Sequence, residues 1–415
     1  MTNIQTAYRQ TRVACYTAYF IQGVAMNLTA VLFVPLREQF GFSFSQLGLL
    51  VFINFLMQVA SDVLFSRAVD KYGYRPFAVG AHMACFAGLV LFACTPVLFV
   101  GAEFVGFCIS TAIFSAAIGI LEVILSPIIN ALPSDHKGAS MAVLHSFLAW
   151  GLLAVVVVST LFLYLFGNMS WPIIVLIWAV IPFVNMLLYA RVYLPPTVAE
   201  QHLMKVQKVV KNPVFILAFL AIFFGAAAEI TLMQWISAFM EKGLGLSKVM
   251  GDLLGLCGFA FFFGVGRLVF SKYGKKLDVH KLMIYGSLIT VFCYIIVAVS
   301  PYFVLSVAAC CVAGAATCLL WPQTLVVASG ALPAAGAVLF ALLAAGGDIG
   351  TSICSWALGA LADGFMALGV HTAFMTAEQF GLRAALLVCT LYPILSMLFQ
   401  VLLKKAVKSH KRVLS

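Results

Sequence analysis

The chain contains twelve apolar stretches, each close to the length of a helix that crosses a lipid bilayer. About 20 apolar residues in a helix span the hydrocarbon core of a bilayer. We place these stretches at 13–36, 47–66, 76–95, 98–131, 138–166, 171–194, 213–240, 247–270, 281–300, 302–330, 336–362 and 382–403. A membrane β-barrel would alternate polar and apolar residues instead. The pattern therefore predicts an all-α membrane protein with twelve transmembrane helices.

Positive residues are distributed unevenly between the predicted loops. The composition, 64% hydrophobic and 9% charged, lies outside the range of soluble globular domains, and the net charge is +10. With the N-terminus inside, only Arg37, Lys242, Lys248 and Arg383 of the 24 Lys and Arg residues fall on the outer side. This positive-inside bias predicts a multi-pass protein of the cytoplasmic membrane, in contact with lipid and with both termini cytoplasmic. The positive charge then implies no nucleic-acid partner.

Motifs for catalysis, metals and cofactors are missing from the sequence. It contains no HExxH, P-loop or GxSxG pattern, and each predicted loop is too short for a soluble domain, so we do not expect an enzyme. The eleven cysteines are scattered through the apolar stretches without a CxxC pair. We interpret them as small packing residues and expect no metal site and no cofactor.

The two halves of the chain resemble each other. The polar segment 195–212 separates residues 1–194 from residues 213–415 and is predicted to be a cytoplasmic linker between two six-helix bundles. Three short sequences recur at spacings of 200 to 204: Lys71-Tyr72-Gly73 as Lys272-Tyr273-Gly274, Ala131-Leu132-Pro133 as Ala331-Leu332-Pro333, and Gly41-Phe42-Ser43 as Gly245-Leu246-Ser247. Internal repeats of this kind are typical of secondary transporters.

The loop between the second and third predicted helices carries a cationic motif. Its residues are Ser66, Asp70, Lys71, Gly73 and Arg75, in the pattern Ser-x-x-x-Asp-Lys-x-Gly-x-Arg. This pattern resembles the signature loop of the major facilitator superfamily, Gly-x-x-x-Asp-Arg/Lys-x-Gly, with serine in place of the first glycine. The resemblance covers nearly the full chain and implies a transporter of two six-helix pseudo-repeats.

The resemblance also implies a gate at this loop. Gly73 permits a tight turn, and Asp70 and Arg75 could bridge to helix ends of the opposite half. We include Lys71 and Asp62 in the predicted gating set. Arg267 joins them because it belongs to the second copy of the loop, where Ser271 replaces the aspartate. A topology anchor without any gating role is the alternative.

Polar side chains inside the apolar stretches are candidates for solute binding. A charged side chain at the bilayer centre costs about 2.5–3.5 kcal/mol even on the most lenient scale, so such residues are usually functional. The candidates are Asn27, Glu122, His145, Glu229, Gln234, Gln323 and Asp348.

Glu122 and His145 are predicted to form a proton-handling pair. In a hairpin turning through residues 133–137, each would lie about 15 Å from the turn, at 1.5 Å per residue. An acid beside an imidazole could exchange a proton near neutral pH. A structural hydrogen bond between two helices is the alternative. We predict Asp348, which lies among small residues on helix 11, as a further proton-coupling residue.

Glu122 also belongs to a stripe of small and polar residues. Ser115, Gly119, Glu122, Ser126 and Asn130 share one face of helix 4. We predict that this face lines a cavity, whereas close helix packing through small residues is the alternative.

Two tryptophans inside the spans stand beside amides. Trp235 follows Gln234 on helix 7, and Trp321 lies two residues before Gln323 on helix 10. An aromatic plate beside an amide suits a sugar ring or another polar solute with one apolar face.

Three segments resemble the fucose and glucose/galactose proton symporters within the superfamily. These are Tyr19 to Pro35, Gly119 to Leu132 (GILEVILSPIINAL), and Leu144 to Phe147. The resemblance implies that Asn27 and Glu122 contact solute or protons. The chain departs from that branch at Ala30, where the branch has an acid, and at Ser126, where it has asparagine.

Together these features predict a secondary active transporter that takes up a small polar solute by alternating access, works as a monomer and uses the proton gradient as its energy source. The solute is a sugar or a related organic metabolite. Proton-driven export of drugs or metabolites is the alternative, although helix 5 lacks the Gly-x-x-x-Gly-Pro run that resembles the antiporter signature.

Overall fold

The chain forms two compact helical units. In the computed structural model, residues 2–133, 137–196, 206–273, 277–332, 335–369 and 375–414 are described. Unit 1 comprises Met1–Phe42 and Ile53–Ala199, and unit 2 comprises Ser43–Phe52 and Glu200–Ser415. The helix that begins at Phe44 therefore contributes its first turns to unit 2 and the remainder to unit 1.

The helices of unit 1 are long and mostly apolar. They are α1 (Thr2–Val31), α2 (Phe33–Phe40), α3 (Phe44–Tyr72), α4 (Tyr74–Leu98), α5 (Glu103–Ala131), α6 (Lys137–Phe166) and α7 (Trp171–Tyr189). α1 packs against α6, and α4 packs against α5 and α7. The predicted first span is bent by 42° between α1 and α2.

Unit 2 contains the remaining helices. They are α8 (Val206–Val210), α9 (Pro213–Ala238), α10 (Lys248–Met250), α11 (Cys257–Tyr273), α12 (Val279–Val299), α13 (Phe303–Thr317), α14 (Leu320–Ala331), α15 (Gly336–Ala367), α16 (Ala377–Cys389) and α17 (Leu391–Leu414). π-helical turns extend α9 over Phe239–Gly243 and precede α11 over Gly251–Leu256. α9 packs against α15 and α17, and α13 packs against α11 and α12.

The predicted twelve-helix architecture agrees with these elements. Among the described residues, ten helices are long and apolar enough to cross a membrane, or eleven if α1 and α2 count as one span. The predicted eleventh helix corresponds to α15, which has 32 residues.

Glycines let helices within unit 1 approach closely. A Cβ atom on Gly23 of α1 would lie 2.2 Å from the Leu148 carbonyl oxygen of α6, and one on Gly151 would lie 2.2 Å from the Phe20 carbonyl oxygen. Only glycine at both positions permits this crossing, which brings the backbones together as small residues do in membrane proteins.

Buried polar contacts also join α1, α4 and α7. The amide nitrogen of Asn185 on α7 lies 3.1 Å from the Ala14 carbonyl oxygen of α1 and 2.8 Å from Nε2 of His82 on α4. Nδ1 of His82 lies 2.7 Å from the Ala78 carbonyl oxygen. Since Nε2 accepts from the amide, Nδ1 carries the ring proton and donates to that carbonyl. His82 is therefore a structural residue of the helix packing.

Candidate functional site

Glu122 of α5 and Gln22 of α1 form a polar contact inside unit 1. Nε2 of Gln22 donates to Oε2 of Glu122 at 3.0 Å. Glu122 is half-buried, and Gln22 is 4% exposed. The other side-chain oxygen of Gln22, Oε1, is buried and has no hydrogen-bond partner among the residues that the structure describes. Gln22 therefore orients the carboxylate while keeping one acceptor for another donor.

His145 lies beside the same turn of α1. Its ring makes an edge contact with Tyr19, with the ring centroids 5.0 Å apart. Tyr19 and Gln22 are one helical turn apart, so Glu122 and His145 approach neighbouring positions of α1. Direct proton exchange between Glu122 and His145 stays a prediction. Asn27, further along α1, is buried and donates to the Gly23 carbonyl oxygen at 2.9 Å.

The polar stripe of α5 serves partly for helix packing. A Cβ atom on Gly119 would lie 2.8 Å from Cα of Gln58 on α3, and Ser115 is fully buried. Close packing, the alternative to a cavity wall, therefore describes this part of the stripe. Beyond Glu122, Ser126 is half-buried and Asn130 is exposed.

The tenth span, in unit 2, is interrupted just before a proline. α13 ends at Thr317 and α14 begins at Leu320. In a continuous helix, the carbonyl oxygen of Cys318 would accept from the backbone nitrogen of residue 322. Residue 322 is proline and has no N–H, so that carbonyl loses its helical donor. Nε of Arg267 donates to it instead, at 3.1 Å.

Arg267 is the residue that supplies this donor. It lies on α11, half-buried, with its guanidinium 4.1 Å from the ring centroid of Phe263 one turn earlier. Arg267 was predicted as a gating residue near a helix end. The structure places its guanidinium at the break between α13 and α14, and gating by Arg267 remains a prediction.

Glu229 of α9 is a second ionisable residue within a span of unit 2. Glu229 is 4% exposed, and its Oε2 atom is buried without a hydrogen-bond partner among the described residues. The two side chains interact electrostatically but form no ion-pair contact. A buried carboxylate without a donor is costly, so it requires a proton or a ligand.

Trp321, Gln323 and Asp348 lie near the same break. Trp321 and Gln323 occupy the first turn of α14, and both are half-buried. A Cβ atom on Gly347 of α15 would lie 2.5 Å from the Trp321 ring, so that glycine makes room for the indole. Asp348, next along α15, is buried. Trp321 thus packs against α15 at Gly347, the residue before Asp348.

Trp235 and Gln234 lie elsewhere in unit 2. Both are buried on α9. The indole nitrogen of Trp235 donates to the Ser355 carbonyl oxygen at 3.1 Å, and its ring contacts Phe44 with centroids 5.9 Å apart. Trp235 thus packs in the core among α9, α15 and the first turn of α3. Its predicted contact with solute stays a prediction.

The cationic loop is only partly described. The side chains of Asp62 and Asp70 lie outside the described residues. Lys71 is exposed, and Gly73 adopts a φ of 80°, as its predicted turn requires. Arg75 donates to the carbonyl oxygens of Tyr189 (3.0 Å), Ala190 (2.5 Å) and Val192 (2.8 Å) at the end of α7. These contacts of Arg75 lie within unit 1, and its gating role stays a prediction.

Replacing Arg75 with alanine should destabilise the protein by about 1–2 kcal/mol. The change leaves the last carbonyl groups of α7 without their charged donor, and solvent around the exposed guanidinium limits the loss. Thermal unfolding of the purified variant measures the effect. Arg75→Lys keeps the charge but lacks the planar guanidinium group. Its unfolding temperature should lie between those of Arg75→Ala and the unchanged protein. If Arg75→Ala unfolded at the same temperature as the unchanged protein, the result would contradict this capping role.

Two features of unit 2 were not predicted from the sequence. The first is the Cys318 carbonyl group without a helical donor: Pro322 was the available signal for it, but nothing local identifies Arg267 as its partner. Asp363 was the second: its carboxylate accepts from the backbone nitrogens of Phe44 (3.0 Å) and Ser45 (2.6 Å). No local pattern reveals a partner 319 residues away.

Comparisons with known proteins agree with this architecture. Residues 15–355 match the family model described as Major Facilitator Superfamily. No curated protein sequence matches the chain significantly.

Several solved structures are similar in fold. A bacterial homologue of the human lysosomal transporter Spinster, inward-facing and unoccupied, has a TM-score of 0.77 at 16% identity, covering 98% of this chain and 98% of that chain. The E. coli fucose:proton symporter has a TM-score of 0.63 at 16% identity, covering 96% and 99%. A D-xylose-proton symporter has a TM-score of 0.74 at 15% identity, covering 92% and 96%. At these identities the likeness shows the fold alone.

Proposed function

The chain belongs to the major facilitator superfamily, and from that premise we propose that it takes up a small polar solute together with protons. Membership makes it a multi-pass membrane transporter rather than an enzyme. Alternating access between two helical bundles, 1–194 and 213–415, is the mechanism that we propose, with 195–212 as the linker between them.

The observation that carries the proposal is a membrane-embedded carboxylate in each unit. Glu122 in unit 1 is held by Gln22, and Glu229 in unit 2 has a buried oxygen without a donor. A carboxylate in a transmembrane helix is expensive unless it binds protons, ions or solute. Glu122 and Glu229 can each take up a proton from one side and release it on the other as water access changes.

The remaining properties follow from this proposal. The proton gradient supplies the energy, so no bound cofactor is required. The positive-inside bias supports the cytoplasmic membrane with both termini inside. A monomer suffices, because each chain contains both repeats. Asp70, Lys71, Gly73, Arg75, Asp62 and Arg267 remain the predicted gating residues, and Asp348 and His145 remain predicted proton-coupling residues.

A sugar or a related organic metabolite is the proposed solute class. Trp321 offers an aromatic surface beside Gln323, which suits a ring with one apolar face. The fucose and xylose proton symporters share the fold at low identity and support this class. Thermal stabilisation against a panel of sugars and organic acids would identify the solute, because a bound ligand raises apparent stability.

We expect Glu122→Gln to abolish solute accumulation driven by a pH gradient in proteoliposomes. Glutamine keeps the shape of the side chain and a contact with Gln22 but cannot carry a proton. Exchange of solute without a gradient should survive, because exchange needs no net proton movement. Glu38→Gln, at an exposed position of unit 1, is the matched control and should accumulate solute normally. Normal accumulation by Glu122→Gln would remove Glu122 from the proton pathway.

A further inference from the structure

We propose that the solute is a hydroxy acid or sugar acid, whose carboxylate binds Arg267 and whose neighbouring hydroxyl donates to Glu229. This inference rests on the proposed transport function and names the substrate class of the site in unit 2. It depends on a cation at the helix break and a buried acid on α9 that interact electrostatically without forming an ion pair.

The contacts of Arg267 fix the direction of its guanidinium. Nε donates to the Cys318 carbonyl oxygen at 3.1 Å. The flat face of the guanidinium lies over the Phe263 ring, 4.1 Å from the ring centroid. The two terminal nitrogens make no hydrogen bond to a described residue. A guanidinium held in this way presents two parallel N–H groups, the geometry that matches a carboxylate.

The positive charge of Arg267 also favours binding of an anion. The side chain is half-buried within a membrane-spanning helix, where an uncompensated cation is costly. Glu229 lies within electrostatic range but makes no ion-pair contact with it. A carboxylate on the solute would bind the terminal nitrogens directly and complete the coordination of the cation.

Glu229 is the acceptor for the hydroxyl group of the solute in this proposal. Its buried Oε2 atom accepts no hydrogen bond from the described residues, so it can accept one from a ligand. A solute that carries a carboxylate with a hydroxyl group nearby satisfies Arg267 and Glu229 together. A neutral sugar would satisfy Glu229 and leave the charge of Arg267 without an anion.

A purely structural role for Arg267 makes a different prediction. If Arg267 only replaces the helical donor that Pro322 lacks, then any donor at this position would serve and no anion would bind. The two possibilities separate in a binding measurement, which requires no transport.

The test is thermal unfolding of the purified protein with glucuronate, gluconate, lactate or glucose, at equal ionic strength with sodium chloride as the blank. At least one of the acids should raise the unfolding temperature, and glucose should not. Arg267→Gln should weaken binding of that acid at least about tenfold, since a charge-assisted pair is lost. Lys272→Gln, an exposed cation on the same helix, should bind as the unchanged protein does.

A second variant covers the case in which Arg267→Gln does not fold. Arg267→Lys keeps the charge and can still donate to the Cys318 carbonyl oxygen, but it lacks the fork, so it should fold and bind the acid more weakly. Stabilisation by none of the acids, equal stabilisation by glucose, or unchanged acid binding in the folded Arg267 variants would overturn the inference. Acid binding without proton movement during uptake would leave the inference intact and refute only the proposed coupling.

Discussion

Replacing Gly359 with leucine should prevent most of the protein from folding and abolish transport. Gly359 lies on α15, where a Cβ atom would be 2.2 Å from the carbonyl oxygen of Phe44 and 2.8 Å from its carbonyl carbon. Both partners are backbone atoms, so the helices themselves must separate. Overpacking typically costs about 1–3 kcal/mol, and a clash of this size with backbone atoms should cost more, which is a large fraction of a total stability of about 5–15 kcal/mol.

Gly364 provides the matched control for this prediction. It lies on the same helix, and a Cβ atom there would meet no atom of the described part of the chain within 4 Å. Gly364→Leu should therefore yield folded protein with nearly unchanged stability. The measurements are the yield of monodisperse protein and its melting temperature in detergent. Normal yield and stability of Gly359→Leu would contradict the close approach of α15 to the first turn of α3.

The same face of α15 holds the start of α3 by hydrogen bonds. The carboxylate of Asp363 accepts from two backbone nitrogens in the first turn of α3, and Ser352 donates to the Phe52 carbonyl oxygen at 3.2 Å. A carboxylate at a helix N-terminus is favourable both as a hydrogen-bond acceptor and through the helix dipole. This face therefore explains why Ser43–Phe52 belongs to unit 2.

Glu229→Gln should reduce solute accumulation driven by a pH gradient by about 100-fold or more. The amide cannot take up a proton, so net uptake loses its connection to the gradient. The amide oxygen can still accept from a solute hydroxyl, so exchange without a gradient should continue at a measurable rate.

Proteoliposomes with an imposed pH gradient measure both activities of this variant. Glu378→Gln, in the first turn of α16 and outside the site, is the control and should accumulate solute as the unchanged protein does. Loss of exchange together with accumulation would indicate a residue required for binding or folding. Full accumulation by Glu229→Gln would exclude Glu229 as a proton carrier.

The helices were predictable from the sequence, because the membrane requires long apolar segments whose backbone hydrogen bonds are internal. Their interruptions also had a local signal: Pro322 marks the break before α14 and Pro35 marks the bend near Leu32, because each proline removes one helical hydrogen bond. The buried acids were also predictable, since Glu122 and Glu229 stand out against an apolar background.

Partners between distant residues could not be predicted. Glu122 was expected beside His145, and the structure gives it a hydrogen bond to Gln22, a residue 100 positions earlier. Trp235 has the same local appearance as Trp321, yet it packs in the core of α9 and α15 while Trp321 lies at the helix break. Helix periodicity specifies which residues share a face, but the neighbour of that face depends on tertiary packing.

The most direct test of proton-coupled uptake follows the pH inside proteoliposomes. A dye trapped in the lumen reports pH while an outside solute, identified by thermal stabilisation, is added without an imposed proton gradient. Solute entering through a symporter brings protons with it, so we predict acidification of the lumen that requires the protein and is absent in vesicles containing Glu122→Gln. Solute entry with an unchanged luminal pH, or with alkalinisation as in proton exchange, would contradict the proposal.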